Sequence, residues 1–186
     1  MFNFLIVYLR RMDQSENISL VTDLQLIADR GAEKIEEHER FRSFIKAQDS
    51  EQIDIIVHRL NESISARIDC TSCGQCCRSL MVNISNEEAA NLADHLKTDL
   101  PALKEKYLEE SLQGQLIMNT IPCHFLAENK CSIYEHRFHD CRAFPHLDRP
   151  HFSDRLFGTL IHYSMCPIIY NVVEQLKVET GFEGNV

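Results

Sequence analysis

The sequence predicts a mainly α-helical chain with a small β-hairpin, irregular cysteine-rich loops and an N-terminal helical hairpin. Three observations predict it. Apolar side chains recur at three-to-four-residue steps over much of the 186 residues. Runs that read as strands are few and short. The eight cysteines fall mostly where neither period holds. With 44% hydrophobic residues, a chain of this length buries one core without covalent help. One domain is therefore the expectation. Within it we distinguish a poorly defined N-terminal segment (1–18), a helical hairpin (19–69) and a cysteine-cluster region (70–186).

The opening Met1–Leu9 is apolar and leads into Arg10-Arg11-Met12, so Met12 offers a second start of translation. The segment has neither a basic leader nor a small-residue cleavage site, and no run approaches the roughly 20 apolar residues of a membrane span. A cytoplasmic location is expected. From Ser19 onward Leu20, Leu24, Ile27, Gly31, Ile35, Phe41 and Ile45 make one helical stripe, with the charges between Asp29 and Arg42 on the opposite side. Asp49 followed by Gln52 signals a new helix start, and Ile53, Ile56, Val57, Leu60, Ile64 and Ile68 form its stripe. Two helices joined by a tight turn make the hairpin. His38 and His58 read as ordinary core or surface histidines within it.

Next comes Cys70-Thr71-Ser72-Cys73-Gly74-Gln75-Cys76-Cys77. A buried structural cysteine is a small hydrophobe that gains nothing from three others beside it, so this density reads as metal ligation. Two residues between cysteines let a tight turn aim both sulfurs at one point, as in zinc sites and iron–sulfur loops. Gly74 is suited to the positive φ such a turn needs. Adjacent side chains normally diverge, so Cys77 is expected to serve a second site or another face of the first.

Leu80–Ile84 reads as a short strand. Ser85 with Glu88 forms a capping box for a helix burying Ala89, Leu92, Ala93 and Leu96, and a further helix follows Pro101 with Leu103, Tyr107 and Leu108 inward. Cys123-His124-Phe125-Leu126, a polar turn and Cys131-Ser132-Ile133-Tyr134 read as a hairpin presenting one thiol from each arm. Cys141-Arg142-Ala143-Phe144-Pro145 comes next. Cys166-Pro167 then stands before a helix carrying Ile168, Ile169, Val172, Val173 and Leu176 and capped by Gly181, which puts Cys166 where a helix N-terminus favours thiolate.

The net charge of −9 repels phosphate backbones, and no run of four basic residues offers a nucleic-acid or lipid patch. No G-x-G, phosphate loop, H-E-x-x-H or G-x-S-x-G occurs, which leaves dinucleotide enzymes, P-loop NTPases, zincins and serine hydrolases without support. In a reducing compartment dense cysteines point to metal rather than disulfides.

The ordered set of Cys70, Cys73, Cys76 and Cys77, then Pro122-Cys123-His124-Phe125-Leu126, Cys131-Ser132-Ile133-Tyr134-Glu135, Cys141-Arg142-Ala143-Phe144-Pro145 and Cys166-Pro167 resembles the CxxCxxCC, or YkgJ-type, cysteine-cluster family. The resemblance covers about residues 70–167 and implies a zinc- or iron-chelating domain rather than any particular reaction. One local departure is Phe138 after Arg137, where such sequences commonly carry proline.

The leading expectation is thus a metal-binding protein with Cys70, Cys73, Cys76, Cys77, Cys123, Cys131, Cys141 and Cys166 as the pool of ligands for zinc or iron, in one site or two. A second reading is an iron–sulfur redox or methyl-transfer enzyme: Cys70, Cys73 and Cys76 with a remote Cys166-Pro167 echo a ferredoxin run, and flagellin lysine methylases carry a related cluster. A third is a metal-stabilised interaction module that takes a protein partner on its N-terminal hairpin. Arg137 and Arg142 are expected to balance charge beside the thiolates. His124, His136, His139, His146, His151 and His162 are reserve ligands that eight cysteines make unnecessary.

Overall fold

The computed structural model describes residues 19–71 and 73–184. The N-terminal segment 1–18, with the alternative start at Met12, lies outside the described residues. In chain order the elements begin with α1 (Leu24–Glu33), α2 (Ile35–Lys46), α3 (Ser50–Ser65), α4 (Gln75–Ser79), β1 (Asn83–Ile84), α5 (Asn86–Leu96), α6 (Leu100–Tyr107) and β2 (Leu108–Glu110). They continue with β3 (Leu116–Met118), β4 (Leu126–Ala127), β5 (Lys130–Cys131), a 3-10 turn (Tyr134–His136), α7 (His139–Ala143), α8 (Phe152–Ile161) and α9 (Pro167–Thr180). The chain forms two compact units, one from 69–144 and the other from the segments on either side of it. The predicted mainly helical class with small antiparallel sheets holds.

In the flanking unit, Asp23 starts α1 by accepting the N–H groups of Gln25 and Leu26, and Asp49 starts α3 by accepting that of Gln52. Each satisfies an orphan donor of a first turn. α9 packs on α3 and α1, and α8 on α2 and α3. Phe41, Ile45, Val57, Leu60, Ile64, Phe152, Leu156, Ile169, Val172 and Leu176 fill the buried core. Cys166 and Gly181 (φ 70°) cap the two ends of α9 as the sequence predicts.

The expected single helix from Ser19 to Ile45 is instead two. The chain is not helical before Leu24, and Lys34 (φ −101°, ψ 14°) separates α1 from α2. The break shifts the phase of the stripe, so Ile35 turns outward at 65% exposure while His38 joins Phe41 and Ile45 inside. Tertiary contacts override local periodicity here. Gly31 lies so close to Ser164 that an added Cβ would stand 2.6 Å from the Ser164 Cβ, and the His38 ring meets Tyr163 edge-on at 4.4 Å. A polar network ties α1 and α2 to α9. Glu174 takes the Tyr163 hydroxyl at 2.9 Å and Lys177 at 2.7 Å, and also accepts from Lys34. Lys177 reaches Glu37 at 2.5 Å.

In the 69–144 unit, β1, β3 and β2 form an antiparallel sheet in that order, and β4 pairs with β5. Ile84, Ala89, Leu92, Ala93, Leu103, Leu116, Met118, Phe125, Ile133 and Phe138 make its core. The Ser85–Glu88 capping box is complete. The anticipated strand at Leu80–Ile84 shrinks to two residues, and Leu108, expected inside a helix, begins β2. Strands of two or three residues are shorter than any period the sequence can register.

Candidate metal centre

Asp69 opens the cluster by accepting both the N–H and the hydroxyl of Thr71, and the Cys73 N–H reaches back to the Cys70 carbonyl at 3.3 Å. Gly74 adopts φ 62°, and a Cβ there would stand 2.8 Å from the Asn129 carbonyl oxygen. Only glycine fits both demands. The short α4 begins at once and carries Cys76 and Cys77.

Arg78 donates to the Cys73 carbonyl at 3.1 Å and also to Asn129 Oδ1. It thereby pins the cysteine loop to the β4–β5 turn, where Glu128 and Asn129 both have positive φ. Cys123 N–H donates to the Cys77 carbonyl at 2.8 Å. Cys131 lies in β5 opposite Leu126. Cys123 stands three residues ahead of β4, so the two thiols do not sit on opposing arms as expected. Each instead accepts an amide N–H from two residues further on, Phe125 for Cys123 and Ile133 for Cys131. Cys141 is presented by α7, whose neighbour Asp140 holds Asn83 at 3.0 Å. Cys123, Cys131 and Cys141 all pack, partly buried, against the same hydrophobic core.

The electrostatics divide the thiols into groups. Burial pushes Cys141 up to about 12, and Cys77, Cys123 and Cys131 add to the rise. Burial also raises Cys123, with Cys77 and Cys131 adding and the Phe125 N–H opposing. Cys131 is raised by burial, with a further push from Cys77; the Ile133 N–H and Arg137 work against it. Cys77, Cys123, Cys131 and Cys141 thus feel one another as a set. Cys70 forms a different pairing: burial raises it first, then Cys73 and Asp69. The neighbouring Cys76 thiol is the main cause holding Cys77 well above the usual thiol range, with burial next. Cys166 belongs to the other unit, buried at the N-cap of α9. None of the eight cysteines is in a disulfide.

Arg137 lowers both Cys70 and Cys131. Its guanidinium lies 3.7 Å from the Tyr134 ring centroid, and its Nε is buried without a hydrogen-bond partner among the described residues. Arg142 donates to the Arg137 carbonyl. His124 binds Asn119 at 2.8 Å, His136 stacks on His95 at 3.8 Å, and the His139 amide donates to Glu88. His146, His151 and His162 belong to the other unit. Sequence reasoning missed Arg78 and Asn129. An arginine directly behind the double cysteine was the available signal for the first; the second was read only as part of a polar turn.

Among the described residues no three His, Cys, Asp or Glu side chains form a group that could hold a metal ion. The chemistry of the donors, several half-buried sulfurs, suits a soft cation. Half-buried thiols that raise each other's pKa are poor neighbours as bare thiolates, and a soft cation relieves that repulsion while demanding sulfur. Two of the sulfurs already accept amide N–H groups, the support that orients thiolate ligands.

The family model described as "CxxCxxCC: Putative zinc- or iron-chelating domain" matches residues 69–166. No curated protein and no solved structure matches the chain.

Proposed function

The chain belongs to the CxxCxxCC family of zinc- or iron-chelating domains, and from that premise we propose that Cys77, Cys123, Cys131 and Cys141 are the four ligands of one metal ion. What supports this is their mutual electrostatic influence, together with the packing of three of them on one core. Cys70 and Cys73 form a second pair of donors, and Cys76 stands beside Cys77. Four thiolates closing tetrahedrally on zinc make a structural site with no open position. Binding strips the thiol protons and draws the cysteine loop, the β4–β5 hairpin and α7 onto one ion, so its free energy becomes folding free energy of this unit. The Phe125 and Ile133 amides hold two sulfurs as acceptors, and the Arg137 guanidinium offsets thiolate charge at Cys131 and Cys70. A cytoplasmic, reducing compartment suits eight cysteines with no disulfide among them.

Anaerobic purification followed by metal and sulfide analysis tests this reading. The expected result is zinc without sulfide, with Cys123→Ser losing one equivalent. Stoichiometric iron and sulfide, with absorption near roughly 400 nm, would establish the iron–sulfur reading in its place.

A further inference from the structure

Ala28, Gly31 and Ala32 of α1, Ile35 of α2, and Phe157 and Ile161 of α8 line a groove of about 440 Å³ in the flanking unit. Ile35, Phe157 and Ile161 each leave more than half their surface exposed. Large apolar side chains bared together around one groove mark a place that another surface covers. The chain reaches α1 from Val21, whose N–H donates to Asn171 Oδ1 at 3.0 Å and whose carbonyl accepts from Asn171 Nδ2 at 2.8 Å. Whatever precedes Val21 is therefore rooted at the start of the same helix that walls the groove.

We infer that the groove is the docking site of the chain's own first residues, Met1–Leu9, which lie outside the described residues. Composition selects that occupant first: every residue from Met1 to Leu9 except Asn3 is apolar. Reach selects it next. From Leu24 the groove residues Ala28 and Ile35 lie about 6 Å and about 17 Å along a helical rise of 1.5 Å per residue, whereas the chain between Leu9 and Ser19 can span about 30 Å when extended. A segment tethered at that range meets the groove at roughly millimolar effective concentration, which a free partner would have to exceed. Charge agrees. Arg10-Arg11 follows the apolar stretch directly, and Glu33 and Glu36 stand exposed close to Ile35, so a docked Met1–Leu9 brings two cations toward two carboxylates at the groove's edge.

The experiment uses the full chain and two readouts, tryptic cleavage after Arg10 and Arg11 and methyl NOEs in solution. The parent should show NOEs from the Leu5 or Leu9 methyls to the methyls of Ala28 or Ala32. Ala32→Trp, a change at an exposed helix position, should fill the groove and abolish them with the circular dichroism unchanged. Cleavage follows the population of the undocked segment, so it should run about tenfold faster in Ala32→Trp than in the parent. Leu5→Asp, which alters the segment and leaves the groove intact, should speed cleavage as much and decides the matter if the tryptophan disturbs the helix. Equal cleavage of the parent and Leu5→Asp, or a parent without those NOEs, would overturn the proposal. So would light scattering showing a dimer that Ala32→Trp splits, because a second copy would then cover the groove. Capture of the parent by phosphatidylglycerol vesicles, with loss of the NOEs, would overturn it in favour of a lipid surface.

Discussion

The amide of Cys123 donates to the carbonyl of Cys77 at 2.8 Å, a backbone bond between the end of the cysteine loop and the approach to the β4–β5 hairpin. Two proposed ligands 46 positions apart are thereby held in one neighbourhood by main-chain geometry, whatever their sulfurs carry. Preparing such neighbours in the apo chain lowers the ordering cost that metal would otherwise bear.

Cys123→Ser and Cys73→Ser should therefore differ. Both remove a thiol, but Cys123 belongs to the proposed set of four, three of which pack on one core. Cys123→Ser should lower the melting temperature more, and chelator should bring the parent down toward it. Thermal melts of the three proteins with and without chelator check this; identical melts throughout would refute the four-ligand site.

Gly74→Ala combines a positive φ with a contact of 2.8 Å to the Asn129 carbonyl oxygen. The loss should be about 1–3 kcal/mol. Gly158, inside α8 with nothing within 4 Å of its would-be Cβ, behaves oppositely. Gly158→Ala should stabilise by about 0.5–1 kcal/mol. Urea denaturation of both variants measures the contrast.

The His38 pKa falls from 6.5 to about 4 on folding, so between these values the unfolded chain binds more protons. Stability should rise with pH across that window, by up to roughly 3 kcal/mol for this one group. Glu174 adds in the same direction. Burial pushes it up, but the hydrogen bonds from Lys177 and Lys34 prevail and hold it below its usual 4.5. Its contribution is complete above 4.5 and is lost as pH falls through the depressed folded value. Denaturation of chelator-treated parent and His38→Phe at pH 4.5 and pH 7 reads the His38 part: the parent should lose more stability on acidification than the variant.

Arg137→Met removes the cation that opposes the rise of Cys70 and Cys131 while keeping an apolar side chain beside Tyr134. Zinc affinity should fall by about tenfold or more, read by competition with a chromophoric chelator. Arg142→Met, whose guanidinium instead binds the Arg137 carbonyl, should have the smaller effect.

Much of this was legible in the residues. Caps act through neighbours in sequence, so Ser85 with Glu88, Asp49 with Gln52 and Gly181 behind α9 announce their helices correctly. The break at Lys34 was not legible, because it follows from contacts of Gly31 and His38 with residues more than a hundred positions later. The density of cysteines announced a metal-binding region, yet spacing grouped Cys70, Cys73 and Cys76 and left Cys77 apart. The company Cys77 keeps with Cys123, Cys131 and Cys141 joins residues 46 to 64 positions apart, which no local spacing encodes.

The 69–144 unit is one uninterrupted stretch of chain, whereas its companion is assembled from segments before and after it. During synthesis, which runs from the N-terminus, the uninterrupted unit is fully available while α8 and α9, whose side chains fill so much of the companion's core, have yet to be made. Seven of the eight cysteines are thus made, in one continuous unit, before the last two helices that complete the companion's core.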